Sequence, residues 1–216
     1  MNNDHLTKPL VEGLVYAPIY KKAALMQSGK PATGKNPFEE SYDREFGPAD
    51  VAIALKKNSD LQAVGLFTGI RGKGIVILDV DKNLRKLLKV WGNTLENAPK
   101  VTSPKKNAAK YIFRIPEHLW GEVKGHGLRE EYGGEYEILW NNSRQGVING
   151  AYPGHSRSKT PEGHYLLNGD LNAVPEAPAW LIAEMKAPPR TNQKRKDIDF
   201  SDRTHDEIIQ IIGDCL

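Results

Sequence analysis

Residues 74–81 read GIVILDVD, a run of four large apolar residues that ends on Asp79, Val80 and Asp81. The apolar run predicts a central β-strand that is buried on both faces. Successive side chains of a strand alternate between its faces, so Asp79 and Asp81 project from the same side. Two ionised carboxylates cannot be buried there without partners. The strand end must therefore be solvated or capped, paired with Lys or Arg, or bound to a divalent cation.

A second apolar stretch, EYEILW at residues 135–140, carries Glu135 and Glu137 on one face of a predicted strand. If this strand neighbours the first, three or four carboxylates converge on one point. Oxygen ligands gathered in this way suit Mg²⁺ or Mn²⁺, which proteins often share with substrate phosphates. Spacing alone does not establish that the strands are adjacent, so a solvated strand end and a metal site both stay open.

The segment TSPKKNAAKYIFR, residues 102–114, lies between the two acidic strands in the sequence and is basic. Lys110 alternates with two aromatic residues, so its side chain can reach a cleft while the rings pack on the opposite face. A lysine ammonium group binds phosphate as a point charge, and Lys105 or Arg114 could assist. The alternative for each of these residues is an ordinary solvated surface cation.

Composition places the chain among ordinary globular proteins, because 39% of its 216 residues are hydrophobic and 26% are charged. The single cysteine, Cys215, excludes a disulfide framework and a Cys-based zinc site, and it fits a cytoplasmic protein. No apolar run approaches the roughly 20 residues that span a bilayer, and the N-terminus lacks the apolar region of a signal peptide. A net charge of +3 and a pI near 8.8 do not indicate a dedicated nucleic-acid-binding domain.

The hydrophobic pattern predicts one α+β domain over residues 1–186, followed by a linker and a C-terminal helix over residues 187–216 that could begin a further module. Helices are expected at residues 48–55, 84–91 and 176–186. The remaining strands are predicted at residues 13–20, 63–70, 100–104, 109–116 and 145–153. Residues 71–74 (RGKG) predict a hairpin between the strands on either side of them, and residues 141–144 (NNSR) predict a second strand pair.

The order of these pieces resembles the bifunctional primase-polymerase (Prim-Pol) domain of the archaeo-eukaryotic primase superfamily, over most of residues 14–182. Residues 29–40, GKPATGKNPFEE, resemble the entry motif of that family. Residues 65–81 resemble its glycine-rich lead into an acid-x-acid metal motif. In the second motif, residues 102–114, the nucleotide-binding histidine of the family falls on Lys110. The third motif resembles residues 135–156 with EGHYLL at 162–167, a strand acid followed by a Gly-x-Tyr hairpin.

The resemblance implies an RRM-like mixed sheet and a nucleotidyltransferase that makes or extends primers on single-stranded DNA, in plasmid, phage or mobile-element replication. It assigns Asp79, Asp81 and Glu137 as catalytic ligands of two Mg²⁺ or Mn²⁺ ions. Lys110 would contact the incoming NTP or dNTP, with Ser103 and Arg114 as further nucleotide-binding candidates. A fused or separate helicase is an implied partner.

Two other functions fit the same residues. A changed second motif is also expected in a non-catalytic module that binds single-stranded DNA or a replication origin. The same acids could serve a two-metal nuclease. His126, His155 and His164 are candidates for an imidazole that reaches the site from elsewhere, although a loop position is the simpler interpretation of each.

Overall fold

The computed structural model describes residues 4–156 and 159–187. In this part of the chain the fold is mixed α/β and contains one large antiparallel sheet with few helices. The strands are β1 (Tyr16–Tyr20), β2 (Leu61–Phe67), β3 (Ile75–Lys82), β4 (Lys100–Thr102), β5 (Ala109–Arg114), β6 (His126–Glu131), β7 (Gly134–Leu139), β8 (Gln145–Tyr152) and β9 (Gly163–Asn168). The helices are α1 (Asp4–Thr7), α2 (Glu40–Asp43), α3 (Pro48–Lys57), α4 (Leu84–Trp91) and α5 (Ala179–Lys186). The chain divides into two units after Lys186, and the predicted C-terminal helix lies outside the described residues.

The nine strands of this sheet run in the order β1-β2-β8-β9-β4-β5-β3-β7-β6. Strand β9 connects two groups of strands, because its two ends have different partners. Tyr165 near the start of β9 pairs with Gly150 of β8, whereas Leu167 pairs with Val101 of β4. One group is therefore β1, β2 and β8, and the other is β4, β5, β3, β7 and β6.

Both hairpins predicted from short turns are wrong. Strands β2 and β3 follow each other in sequence, but β2 pairs with β1 and β8 while β3 pairs with β5 and β7. Strands β7 and β8 diverge in the same way. The β2–β3 connection and the β7–β8 connection instead each cross from one strand group to the other, and they run side by side. The Thr68 hydroxyl joins them through hydrogen bonds to Asn141 O (3.1 Å) and Arg144 O (3.3 Å). A glycine-rich turn marks where the chain reverses, but it does not determine which strands become neighbours.

Strand β3 is central and buried on both faces, as its apolar sequence predicts. Ile75 and Ile77 on one face pack in a core shared with β1, β2 and β8. Val76 and Leu78 on the opposite face pack in a second core beneath α4 and α5. All four residues have an exposed fraction of 0%. The face of Ile75 and Ile77 continues to the two aspartates, which therefore lie on the side of the sheet that faces the first strand group.

The three predicted helices in the described residues are present, although α5 begins at Ala179, three residues later than predicted. Pro48 begins α3, where the missing N–H costs no helical hydrogen bond. Helix α4 buries Leu84, Leu87 and Trp91 on one face and ends at Gly92, whose φ of 60° suits glycine. No helix among the described residues is long and apolar enough to cross a membrane.

Strand β6 and the short helices α1 and α2 have no counterpart in the sequence prediction. Five of the six residues of β6 (HGLREE) are exposed or half-buried, so the apolar alternation that identifies strands is missing. Strand β9 has the same character, since among its residues only Tyr165 is buried. Its pairing with β8 agrees with the hairpin that the family resemblance implied for residues 162–167.

Candidate active site

Asp79 lies between a base and an acid on the two strands that flank β3. In the antiparallel register it is directly opposite Lys110 of β5 and directly opposite Glu137 of β7. Directly opposed residues share one face of the sheet, with Cβ atoms about 5 Å apart. The Lys110 ammonium group donates a hydrogen bond to the Asp79 carboxylate, and the side chains are only 15% and 20% exposed, respectively. The sheet itself therefore fixes this three-residue row.

Asp81 reaches the same region through an irregularity in β3. The pairing with β7 shifts between Val80, opposite Tyr136, and Lys82, opposite Glu135, which leaves Asp81 without a counterpart on β7. An irregularity of this kind, a β-bulge, changes the direction in which a side chain near the end of a strand points. The Asp81 carboxylate accepts a hydrogen bond from the ammonium group of Lys105, which lies in the loop between β4 and β5. Each aspartate is thus paired with a lysine from the basic segment.

The two glutamates of β7 behave differently. Glu137 forms an ion pair with Arg144, with 3.7 Å between Oε2 and Nη2, and its side chain is 26% exposed. Glu135 forms an ion pair with Lys82 beside the turn and does not line the cavity that contains the other acids. The predicted gathering of carboxylates therefore comprises Asp79, Asp81 and Glu137, without Glu135.

A cavity of about 240 Å³ opens over this row of residues. It brings together five of the six residues to which the family resemblance gives a catalytic or nucleotide-binding role: Asp79, Asp81, Glu137, Lys110 and Ser103. Lys105 also lines the cavity. Arg114 does not, because it lies at the far end of β5, opposite Ile75, where its guanidinium donates to Lys73 O at 3.1 Å. The candidate role of Arg114 in nucleotide binding is therefore not supported by its position.

Lys35 completes the basic lining of the cavity and was not singled out in the sequence. Desolvation lowers the pKa of its ammonium group, and the positive charge of Lys110 acts in the same direction, while Asp79 and Asp81 oppose the shift. The backbone around Lys35 is anchored, since Gln145 Nε2 of β8 donates to Lys35 O at 3.0 Å. The sequence feature that could have identified Lys35 is its place in the stretch GKPATGKNPFEE, which carries the first part of the family resemblance.

Two aromatic side chains and one histidine also line the cavity. Tyr165 and Tyr152 both line the cavity, with ring centroids 5.1 Å apart in an edge-to-face arrangement. Burial raises the pKa of the Tyr165 hydroxyl, and the negative charge of Asp79 raises it further, so this phenol stays protonated. His155 is the one of the three histidine candidates that lines the cavity; His126 is buried against Glu184 O (2.9 Å), and His164 is exposed on β9.

Arg71, in the glycine-rich turn, has a structural role, because its side chain contacts other parts of the protein. Its guanidinium donates to the backbone oxygens of Ser41 and Tyr42 and stacks over Phe67, with 4.2 Å between Cζ and the ring centroid. These contacts fasten α2 to the connection between β2 and β3.

The acids offer the right donors for a divalent cation, although they do not form a closed ligand cluster. Within residues 4–156 and 159–187, no group of three or more His, Cys, Asp or Glu side chains is arranged to hold a metal ion. Asp79 and Asp81 are instead directed to Lys110 and Lys105. Partly exposed carboxylate oxygens from neighbouring strands are nevertheless the ligand type that Mg²⁺ and Mn²⁺ require.

The cavity combines three carboxylates with three ammonium groups, those of Lys35, Lys105 and Lys110. A scan of the chain against protein-family models finds no matching family, and a search of curated proteins finds no match. Function is therefore inferred from the chemistry of this cavity.

Proposed function

We propose that the protein is a primase-polymerase, a nucleotidyltransferase that makes or extends primers on a single-stranded DNA template. The observation that carries the proposal is the register of Asp79, directly opposite both Lys110 and Glu137. An acid row flanked by lysines suits a ligand that carries both signs of charge, as a triphosphate with its divalent cation does. An RRM-like core, as in the resembling family, forms part of the same proposal.

Asp79, Asp81 and Glu137 would hold Mg²⁺ or Mn²⁺. When bound, the ion supplies charge neutralisation and activation of the attacking hydroxyl group. Lys105 and Lys110 would then turn from the carboxylates to the triphosphate, which Lys35 would also contact, and Ser103 can add a hydroxyl donor. In phosphoryl transfer most of the catalytic effect comes from such positioning and charge stabilisation.

The size of the cavity restricts which part of a nucleotide it can enclose. Pockets that enclose a whole drug-sized ligand have volumes of about 300–1,000 Å³. The cavity measures about 240 Å³ and is lined mainly by charged and polar side chains. It therefore suits the phosphates, and the base would lie outside, where it can pair with a template.

The direct test is nucleotide incorporation. The protein is incubated with Mn²⁺ or Mg²⁺, ribo- or deoxynucleotides and single-stranded DNA, with and without an annealed primer, and the products are resolved on a denaturing gel. Growth of labelled product is expected. Absence of product under every combination overturns the proposal, and shortening of labelled DNA without addition identifies a nuclease that uses the same acids.

One observation favours a second function, a non-catalytic single-stranded DNA-binding module. Both aspartates are already paired with lysines, so the acids are balanced without a metal. This alternative predicts salt-dependent DNA binding that is indifferent to metal and to loss of Asp79. Affinity for a nucleoside triphosphate that depends on Mn²⁺ contradicts it.

Removing the paired lysines is expected to increase metal affinity. In the double variant Lys105→Gln and Lys110→Gln, two positive charges next to the aspartates are lost, so we expect Mn²⁺ to bind about tenfold more tightly without nucleotide. Calorimetric titration measures this affinity, with Lys56→Gln and Lys57→Gln at the exposed end of α3 as the control. Equal Mn²⁺ affinity in both double variants would show that the aspartates are not the metal site.

A further inference from the structure

Helix α4 begins two residues after the acidic strand and presents a basic face. Its sequence, LRKLLKVW, contains no acidic residue. Leu84, Leu87 and Trp91 are buried, which leaves Arg85, Lys86 and Lys89 exposed. Among the described residues these three form no salt bridge, in contrast to the neighbouring Lys82, which is paired with Glu135.

The basic face connects directly to the candidate active site. The backbone N–H of Leu84 at the start of α4 donates to Asn107 O at 3.0 Å, in the loop that joins β4 to β5. In this loop Lys105 points into the cavity, whereas Lys106 is exposed. Positively charged side chains therefore extend from Lys105 in the cavity through Lys106 in the same loop to the exposed face of α4.

An exposed aromatic ring stands beside these charges. Tyr132, in the two-residue turn between β6 and β7, is 59% exposed. Both turn residues have positive φ, 51° for Tyr132 and 71° for Gly133, as in the tight turns that join antiparallel strands. Asn83 Nδ2 donates to Gly133 O at 2.7 Å, and the side chain of Lys86 lies against Gly133, so the turn is fastened to the start of α4.

The charge balance of this surface is positive. We define the α4 platform as Arg85, Lys86, Lys89, Lys106 and Tyr132. Negative groups border it on β6 and β7, but Glu135 is paired with Lys82, and Glu131 with Arg129, with 3.9 Å between Oε1 and Nη1. Glu130 contributes one negative charge at the edge, where it adds to the field at Lys82. The platform therefore carries four cations and one exposed ring, with the single negative charge of Glu130 at its edge.

We propose that the α4 platform binds single-stranded DNA, which places the template strand next to the cavity. Cations that follow a phosphate backbone, combined with an aromatic ring on which a base can stack, are the chemistry by which proteins hold single strands without reading sequence. The inference rests on the proposed function, in which a single strand must pass the acid row. A strand held by α4 and Lys106 leads to the loop of Lys105, where the phosphates of an incoming nucleotide would be bound.

The test is binding of a fluorescein-labelled oligodeoxythymidylate of about 20 nucleotides, measured by anisotropy at several salt concentrations on the full chain. One variant replaces Arg85, Lys86 and Lys89 by Gln. Its matched control replaces three exposed lysines elsewhere, Lys30, Lys56 and Lys57, by Gln and so loses the same charge. A second variant, Tyr132→Asn, removes the ring but keeps a residue that tolerates positive φ.

The platform variant is expected to bind at least tenfold more weakly at low salt. The slope of log K against log salt should fall by about 2, since each lost contact with a single strand contributes about 0.7. Tyr132→Asn should weaken binding about tenfold with an unchanged salt slope, because stacking involves no counterion release. The control variant should bind nearly as the unmodified protein does.

Two results overturn the inference: equal losses in the platform and control variants, or no binding by the unmodified protein. The second result also removes the proposed function, whereas the first leaves it intact. Conversely, DNA binding through the platform without any nucleotide incorporation supports the proposed binding surface and overturns the proposed nucleotidyltransferase activity. Circular dichroism and a thermal transition like those of the unmodified protein establish that each variant is folded.

Discussion

Replacing Asp79 by Asn is expected to reduce nucleotide incorporation by about a thousandfold or more. The substitution keeps the shape of the side chain but removes the negative charge that lies opposite Lys110 and Glu137. Loss of a single preorganised electrostatic group commonly costs two to three orders of magnitude in rate, and a shared metal ligand should be at the upper end. Incorporation rates with saturating template measure the effect.

Asp60→Asn is a suitable control for this prediction. Asp60 is also paired with a lysine, Lys21 at 2.6 Å, but both side chains are about 40% exposed and neither lines the cavity of the acids. This variant should retain incorporation. If Asp79→Asn also retains it, the row of Asp79, Lys110 and Glu137 is not the site of chemistry. Single-stranded DNA binding should be similar in the two variants, since α4 is unchanged.

Replacing Gly150 by Ala is expected to lower the free energy of unfolding by about 2–4 kcal/mol. Gly150 has a φ of 103°, and a Cβ at this position would lie 2.5 Å from Ala63 Cα and Gln62 O on β2. Backbone atoms of a paired strand cannot move aside as a flexible side chain can. The measurement is urea unfolding followed by circular dichroism.

Gly127→Ala in β6 is the matched control for Gly150→Ala. Its Cβ would meet no atom within 4 Å, and its φ lies outside the left-handed region. Stability should therefore be unchanged or slightly increased, because alanine restricts the unfolded chain. Equal stability of the two variants would contradict the close approach of β8 to β2. It would also question the position of Tyr152, which follows on β8 and lines the cavity.

The sequence predicted those features that depend on local pattern. The apolar run before Asp79 identified a strand buried on both faces, and the spacing of Leu84, Leu87 and Trp91 identified α4. Alternation along β5 placed Lys110 opposite the aromatic side of the strand. These features follow from the period of a strand or a helix, which a short stretch of sequence already contains.

Features that depend on distant pairing were not predictable in the same way. The turns at residues 71–74 and 141–144 suggested hairpins, but the strands they join have partners elsewhere in the chain. Lys35 lines the cavity from a loop whose backbone is hydrogen-bonded to Gln145, 110 residues later. Strand β6 carries too many charged residues to show an apolar period. Pairing of Asp79 and Asp81 with lysines was one of three alternatives, and it depends on the register of β3 against β5 and on the position of the loop that carries Lys105.

The shared pairing of β9 has a consequence for synthesis of the chain. Tyr165 belongs to this strand, which pairs with β8 at one end and with β4 at the other. A ribosome must therefore complete at least residue 168 before the two strand groups can be joined. Until then β4 and β8 expose backbone edges that can pair wrongly. Asp79 and Asp81 are made well before Tyr152, His155 and Tyr165, which also line the cavity, so a nascent chain cannot present a finished cavity before most of the sheet exists.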